Sequence, residues 1–319
     1  MSTTIFDVAI VGGGPAGLSA AVTLGRSLRS VVVIDAGEPR NAPADGAHNV
    51  LGHEGIAPTA LLAAGRAEAA GYGVEFRSGT VIDAARSPDD GRFTLTSADG
   101  TTISARRVLL AAGLVDELPD VAGVAELWGS SVLHCPYCHG FEVRGRRIGV
   151  LGTGPMSVHQ TLLFRQLSDD VTLFTHTMGE IDAAEREQLS ALDVNIVDGV
   201  VDHLAIADGT LSGAVLADGT SVGRDALVIA PRFVVRSALY TALGGTLADH
   251  PMGGQFVPTG PMGATDVPGV WAAGNIADLA ATVAVSMGAG VSAGAAINMD
   301  LITEDTRRAV EARRSDISA

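Results

Sequence analysis

The chain has 319 residues, 47% hydrophobic and 18% charged, enough for two packed domains of roughly 100–200 residues each. Its formal charge of −15 excludes an electrostatic footprint for nucleic acid or an anionic membrane. All 21 basic residues are arginine, which excludes a lysine base, a Schiff base and a phosphate-loop lysine.

Met1 to Asp7 carry no basic region ahead of an apolar stretch, so no secretory signal is expected. No unbroken apolar run reaches the ~18 residues needed to span a bilayer, and the expected setting is cytoplasmic. Val8 to Val11 then predicts a strand, Gly12 to Gly17 a tight turn, Leu18 to Arg29 a helix, and Ser30 to Ile34 a second strand ending at Asp35. Such a βαβ unit implies a parallel sheet. The pattern recurs: Arg147 to Leu151 reads as a strand, Gly152-Thr-Gly154-Pro-Met-Ser157 as a turn, Val158 to Gln166 as a helix and Val171 to Thr175 as a strand.

A second repeat supports duplication. Ala98-Asp99-Gly100-Thr101 is a hairpin turn followed by an apolar strand that closes at Ala111. Ala217-Asp218-Gly219-Thr220 repeats it, closing at Ala230 with the same spacing. The expected fold is α/β with two Rossmann-like, three-layer domains. One comprises residues 1–118 with 246–319 and is discontinuous. The other, 119–245, carries the cysteines. The charged stretch Thr306 to Ala319 reads as a frayed helix end.

Gly12-x-Gly14-x-x-Gly17 lies between strand and helix, where glycines permit close approach of a pyrophosphate and the helix N-terminus favours its charge. Asp35 is placed to accept from a ribose hydroxyl. The two cysteines of the chain stand in His134-Cys135-Pro136-Tyr137-Cys138-His139-Gly140. That spacing allows a disulfide, and thiolates in such motifs are stabilised, with pKa lowered from ~8.5 towards ~7 or below. Zinc would need four ligands, usually as two separated pairs, and no second pair exists. Inert core cysteines are the other alternative. His139 can exchange a proton with a neighbouring thiol near neutral pH, or it can be a solvated loop histidine. His134 carries either reading, and His48, His53 and His159 are taken as structural or surface residues.

Together with Asn49-Val-Leu-Gly52 and Val267-Pro-Gly-Val-Trp-Ala-Ala-Gly274, these motifs resemble the low-molecular-weight thioredoxin reductase family over nearly the full length. The resemblance implies FAD in the discontinuous domain, a nicotinamide nucleotide in the inserted one, and a homodimer. It implies FAD contacts from Gly12, Gly14, Pro15, Ala16, Gly17, Asp35, Ala36, Arg40, Asn49, Val81, Ala112, Gly113, Gly274, Asn275, Thr282 and Val283, and no metal. It makes Cys135, Cys138 and His139 catalytic, with Cys138 nearer the flavin. The departures are specific. The family's acid after the second cysteine is His139 here, and its acid after Ala-Ala-Gly is Asn275. Ala281-Thr282 replaces an Arg-Gln pair. The strand that should end in His-Arg-Arg to grip a 2′-phosphate reads Leu173-Phe-Thr-His-Thr177. In these respects the chain is similar to the FAD-dependent dithiol oxidases of disulfide natural products of the holomycin, gliotoxin and romidepsin type. That similarity implies antibiotic biosynthesis, a small-molecule dithiol as substrate, oxygen as acceptor and hydrogen peroxide as product. A thioredoxin partner belongs to the alternative, a reductase of protein disulfides.

Overall fold

A computed structural model describes residues 5–251 and 253–318. The first four residues and Ala319, which the readings of the two termini include, lie outside that range. The chain divides into two compact units, one formed by Met1–Arg40, Pro58–Val115 and Phe233–Ala319, the other by Asn41–Ala57 and Asp116–Arg232.

The first unit opens with β1 (Ile5–Val11), α1 (Pro15–Arg26), β2 (Val31–Asp35), α2 (Pro58–Gly71), β3 (Glu75–Ser78), β4 (Val81–Arg86), β5 (Phe93–Ser97) and β6 (Thr102–Leu110). Strands β3, β2, β1 and β6 are parallel neighbours, and β5 and β4 continue the sheet antiparallel. The runs Val8 to Val11 and Val31 to Ile34 are apolar at every position because both faces are covered. Val8, Ile10, Val31 and Val33 pack into one core with α1, while Ala9, Val11, Val32 and Ile34 pack into another with β4 and β5. A strand alternates its side chains between faces, so two cores on either side of one sheet make three layers.

The second unit follows in chain order with β7 (Leu114–Glu117) at the crossover, then α3 (Val124–Leu127), β8 (Val132–Leu133), α4 (Pro136–His139), β9 (Ile148–Leu151), α5 (Ser157–Arg165), β10 (Val171–Phe174), α6 (Ala183–Ala191), β11 (Asn195–Val197), β12 (Val201–Ala207), β13 (Thr210–Leu216), β14 (Ser221–Val222) and β15 (Ala226–Val228). Five of these strands form a parallel sheet in the order β11-β10-β9-β15-β8, and β12, β13 and β14 form an antiparallel one. The same division recurs: Ile148, Val150, Leu173 and Val228 serve one core and Leu151, Phe174 and Leu227 the other.

Both hairpin turns close alike. Ser97 N donates to Thr101 O at 2.9 Å and Leu216 N to Thr220 O at 2.8 Å. Asp99 and Asp218 each accept from the amide two residues on, at 2.9 and 2.8 Å.

The chain returns to the first unit through β16 (Arg232–Val235), α7 (Ala238–Ala242), β17 (Ala248–Asp249), β18 (Gln255–Phe256), β19 (Val270–Ala272) and α8 (Val283–Ser318). This return is earlier than the expected 246, because Val235, Leu239 and Tyr240 are buried in the core beside β4 and β5. Strand β19 pairs in parallel with β6. Helix α8 lies so close to α1 that a Cβ at Gly290 would sit 2.0 Å from the Ala16 carbonyl oxygen. The segment Val283–Ile317 is long and apolar enough by composition to cross a membrane. Reading for an unbroken apolar run misses it, since Gly, Ser and Asn interrupt the pattern. Ala293, Ile297 and Leu301 are fully buried in the core shared with α1, which accounts for the composition by packing. The helix continues through the charged stretch as far as Ser318. Arg307 pairs with Glu311 at 2.8 Å and Arg308 with Glu304, both one turn apart.

Candidate active site

The loop after β1 has the shape of a dinucleotide cradle. A Cβ at Gly17 would lie 1.9 Å from the Gly12 carbonyl oxygen, so only glycine lets α1 begin this close to the strand. At Gly14, by contrast, nothing lies within 4 Å of the Cβ position. That open space faces the N-terminus of α1, with Pro15 at its first position, as a pyrophosphate requires. Asp35 Oδ1 accepts from Gly13 N at 2.9 Å and Oδ2 faces Arg66 at 3.2 Å. These bonds fix the carboxylate at the strand end, with lone pairs left for a ribose. Ala36 and Arg40 are exposed beyond it, and the Arg40 guanidinium stacks 5.0 Å from the Phe233 ring centre. Val81 is buried at the start of β4, and Ala112 and Gly113 follow β6 half-buried.

Asn275 replaces an acid without losing its function as an acceptor. Its Nδ2 faces the carbonyls of Asp278, Leu279 and Ala281 at 3.1, 3.3 and 3.0 Å. The amide nitrogen therefore braces that turn, and Oδ1 is the atom left for a hydroxyl of the cofactor. Gly274 beside it has no room for a side chain against Ala16. Thr282 and Val283 stand at the start of α8, with Val285 N 3.5 Å from Thr282 Oγ1. The first unit thus offers a tight turn, a helix terminus, an acid and a hydroxyl-accepting amide, which fit FAD.

Asn49 belongs to the second unit, in left-handed conformation with φ 58°, and its Nδ2 donates to Tyr137 O at 2.6 Å. Glu54 holds this loop from the other side, accepting from Asn49 N at 3.0 Å and facing His48 Nδ1 at 2.7 Å. The His48 hydrogen bond keeps the Glu54 carboxyl below its usual range. His48 Nε2 also lies 3.6 Å from Glu142. His48, Glu54 and Glu142 had no distinguishing pattern in the sequence, because their grouping depends on a loop meeting a helix some 90 residues on.

Cys135 caps the short helix α4 with φ −95° and ψ 121°, and Cys138 N lies 3.3 Å from Cys135 O. The two are joined as a disulfide with Cα atoms 5.2 Å apart. Cys138 is exposed and Cys135 half-buried. Gly140 ends the turn where a Cβ would strike Pro136 O at 2.3 Å. Burial lowers the pKa of His139; Glu142 opposes this and His48 adds to it. Burial thus favours its neutral imidazole, the form able to accept a proton.

The second glycine loop, after β9, is differently furnished. Ser157 Oγ faces Thr153 N at 3.1 Å and Gly154 N at 3.2 Å, taking the amides a pyrophosphate would need. At the end of β10, Thr175 Oγ1 accepts from Gly199 N at 3.2 Å and His176 Nδ1 from Val201 N at 3.1 Å. The residues in the position for ribose or 2′-phosphate recognition thus brace a neighbouring turn, and none is an arginine or an acid. A nicotinamide nucleotide does not fit this set.

A dinucleotide-binding fold with a disulfide three residues apart defines an oxidoreductase of the disulfide-handling class. The model of the pyridine nucleotide-disulphide oxidoreductase family matches residues 6–292, and the chain belongs to that family. Its members are FAD flavoproteins, and FAD is the cofactor of this chain. It is 40% identical over 184 residues to a thioredoxin reductase, tcpT, of Claviceps purpurea, covering 55% of this chain and 57% of that one. This alignment spans little more than half of that relative. It is 32% identical over 305 residues to the thioredoxin reductase aclD of Aspergillus oryzae, covering 90% and 94%. The crystal structure of HlmI superposes with a TM-score of 0.94 at 45% identity, covering 99% of both chains.

Proposed function

We propose that this protein oxidises a small-molecule dithiol to its disulfide, with oxygen as the final acceptor and hydrogen peroxide as product. The observation that carries the reading is the occupied second glycine loop. Ser157, Thr175 and His176 are committed to the fold, so the reductive half-reaction is assigned to a thiol. The departures shared with the dithiol oxidases of disulfide natural products, His139 after the second cysteine and no arginine at Thr175 to Thr177, support the same reading, and a natural-product dithiol made in the cytoplasm is the substrate they favour.

A substrate thiolate attacks the Cys135 sulfur, and the S–S electron pair leaves on Cys138. The second substrate thiol then displaces Cys135 from the mixed disulfide. The substrate leaves oxidised, and its two protons pass to the protein, one on the Cys135 thiol and one on His139 beside the Cys138 thiolate. Cys138, exposed in its turn, is the sulfur we assign to electron transfer to FAD. FAD, when bound, accepts the two electrons of the reduced pair and delivers them to oxygen.

The names of the relatives favour a second reading, reduction of a protein disulfide such as that of thioredoxin, fed by NADPH or another donor. Anaerobic mixing separates the two. Excess NADPH, then NADH, should leave the flavin absorbance unchanged, and a simple dithiol should bleach it. Admitting air should restore it with one peroxide per disulfide. Rapid bleaching by NADPH would overturn the oxidase reading.

A further inference from the structure

Next to the strand end that leads into Cys135 lies a buried amide that no step above uses. Gln160, on α5, is 7% exposed. Its Nε2 donates to the His134 carbonyl at 3.0 Å and to the Ile229 carbonyl at 3.2 Å. Its Oε1 is buried with no hydrogen-bond partner among the described residues. The orientation is forced, because both atoms it faces are carbonyl oxygens and only the NH2 end can meet them. An acceptor is left unsatisfied in the interior so that two carbonyls can be held, and such a group calls for an explanation.

The two carbonyls mark a particular place. Leu133 and Val228 are paired on the parallel strands β8 and β15, and Ile229 N donates to Leu133 O at 2.9 Å. His134 and Ile229 are the next residues on each strand. His134 adds its own bond, since Nδ1 at 2.8 Å from Ile229 O must carry the proton. Gln160 and His134 together extend the junction one residue past the ladder, to where Cys135 begins. Cys138 follows in the first turn of α4, its N–H 3.3 Å from the Cys135 carbonyl, so the anchored Cys135 carries the turn that holds the second sulfur.

We propose that Gln160 is a positioning residue which, through His134 and Ile229, sets the reduction potential of the Cys135–Cys138 pair. Two thiols held in disulfide geometry close again more readily than two free to drift, so fixing Cys135 favours the oxidised form. The inference rests on the pair being the working redox centre, and it holds whether the electron source is a dithiol or a nicotinamide.

The test is redox titration of the purified flavoprotein in glutathione buffers, with the thiols trapped and counted. Gln160→Leu should shift the equilibrium about tenfold towards the dithiol, roughly 30 mV for a two-electron couple. His134→Phe, which keeps the Gln160 bond to the main chain, should shift it less in the same direction. The double variant should fall short of the sum, because both donors share Ile229 O. A folded, flavin-loaded Gln160→Leu protein with wild-type poise overturns the proposal. If that variant does not fold, an unshifted His134→Phe overturns it. Bleaching of the wild-type flavin by NADPH would defeat the oxidase reading and leave this one standing.

Discussion

The side-chain amide of Asn49 donates to the carbonyl of Tyr137 at 2.6 Å, tying the loop 41–57 to the turn between the two cysteines. Asn49 has φ 58°, a conformation that asparagine and glycine tolerate and alanine does not. Asn49→Gly should therefore lose only the hydrogen bond, about 1 kcal/mol, and Asn49→Ala should lose about 1–2 kcal/mol more from backbone strain. Urea melts of the two variants should keep that order. Equal losses would show that the backbone is not held left-handed.

Gly14 faces open space, where we place the cofactor's pyrophosphate. Gly14→Val should leave the fold intact and yield a colourless protein that does not take up FAD on reconstitution. A yellow Gly14→Val protein would move the cradle elsewhere.

The two sulfurs should behave differently. Cys135→Ser leaves one thiol at the exposed position 138, next to the cofactor in our assignment. It should develop a long-wavelength charge-transfer band as that thiol ionises. Cys138→Ser should show none. The reverse pattern would exchange the roles of the cysteines.

His139 sets an acid limit. Burial depresses its pKa below the ordinary 6.5, so the unfolded chain takes up this proton before the folded one. Its contribution to stability is present above about pH 6.5 and is lost as pH falls towards the folded value. The same downward shift keeps the proton-accepting form available at lower pH than an ordinary histidine would. His139→Ala should reduce turnover by roughly 10²-fold and flatten the acid limb of the pH–rate profile. An unchanged profile would return His139 to a loop role.

Arg106 on β6 bonds Asp7 at 2.8 Å and also meets Glu304 and Asp305 on α8. Arg107 meets Glu304 at 2.7 Å. Burial raises the Glu304 pKa, but both arginines outweigh it and the net shift is downward. Asp305 is lowered by hydrogen bonds from Arg29 and Arg106. Both carboxylates thus stabilise the fold above their unfolded pKa values, and this is lost as pH falls through the folded ones. Arg106→Met should cost about 2 kcal/mol at neutral pH and much less in acid. A pH-independent loss would refute the charge argument.

The local parts of this fold were legible because they are written in consecutive residues. Each βαβ unit announced itself by an apolar run, a glycine turn and a helix, and each Ala-Asp-Gly-Thr closed a hairpin. Cys135 and Cys138 form a disulfide within one turn, which their spacing of three residues already allows. What escaped was set by residues far apart in the chain. Asn49 carried a family motif, and only the fold reveals that its amide meets Tyr137. Ser157 read as one member of a turn, with no signal that its hydroxyl would fill the loop. Gln160 looked like any helix polar residue until two strand ends met beneath it.

The interleaving of the two units has a consequence for how the protein is made. Most of the second unit is one continuous stretch, Asp116–Arg232, while the first needs Phe233–Ala319 to close. Strand β19 and helix α8 supply the neighbour of β6 and the partner of α1, and both come from the end of the chain. Domains fold as units while synthesis proceeds at about 5–20 residues per second. During translation the thiol-bearing half is therefore complete while the half to which we assign the flavin still lacks its last strand and helix. The newborn enzyme carries its cysteine pair for several seconds before the cofactor cradle exists.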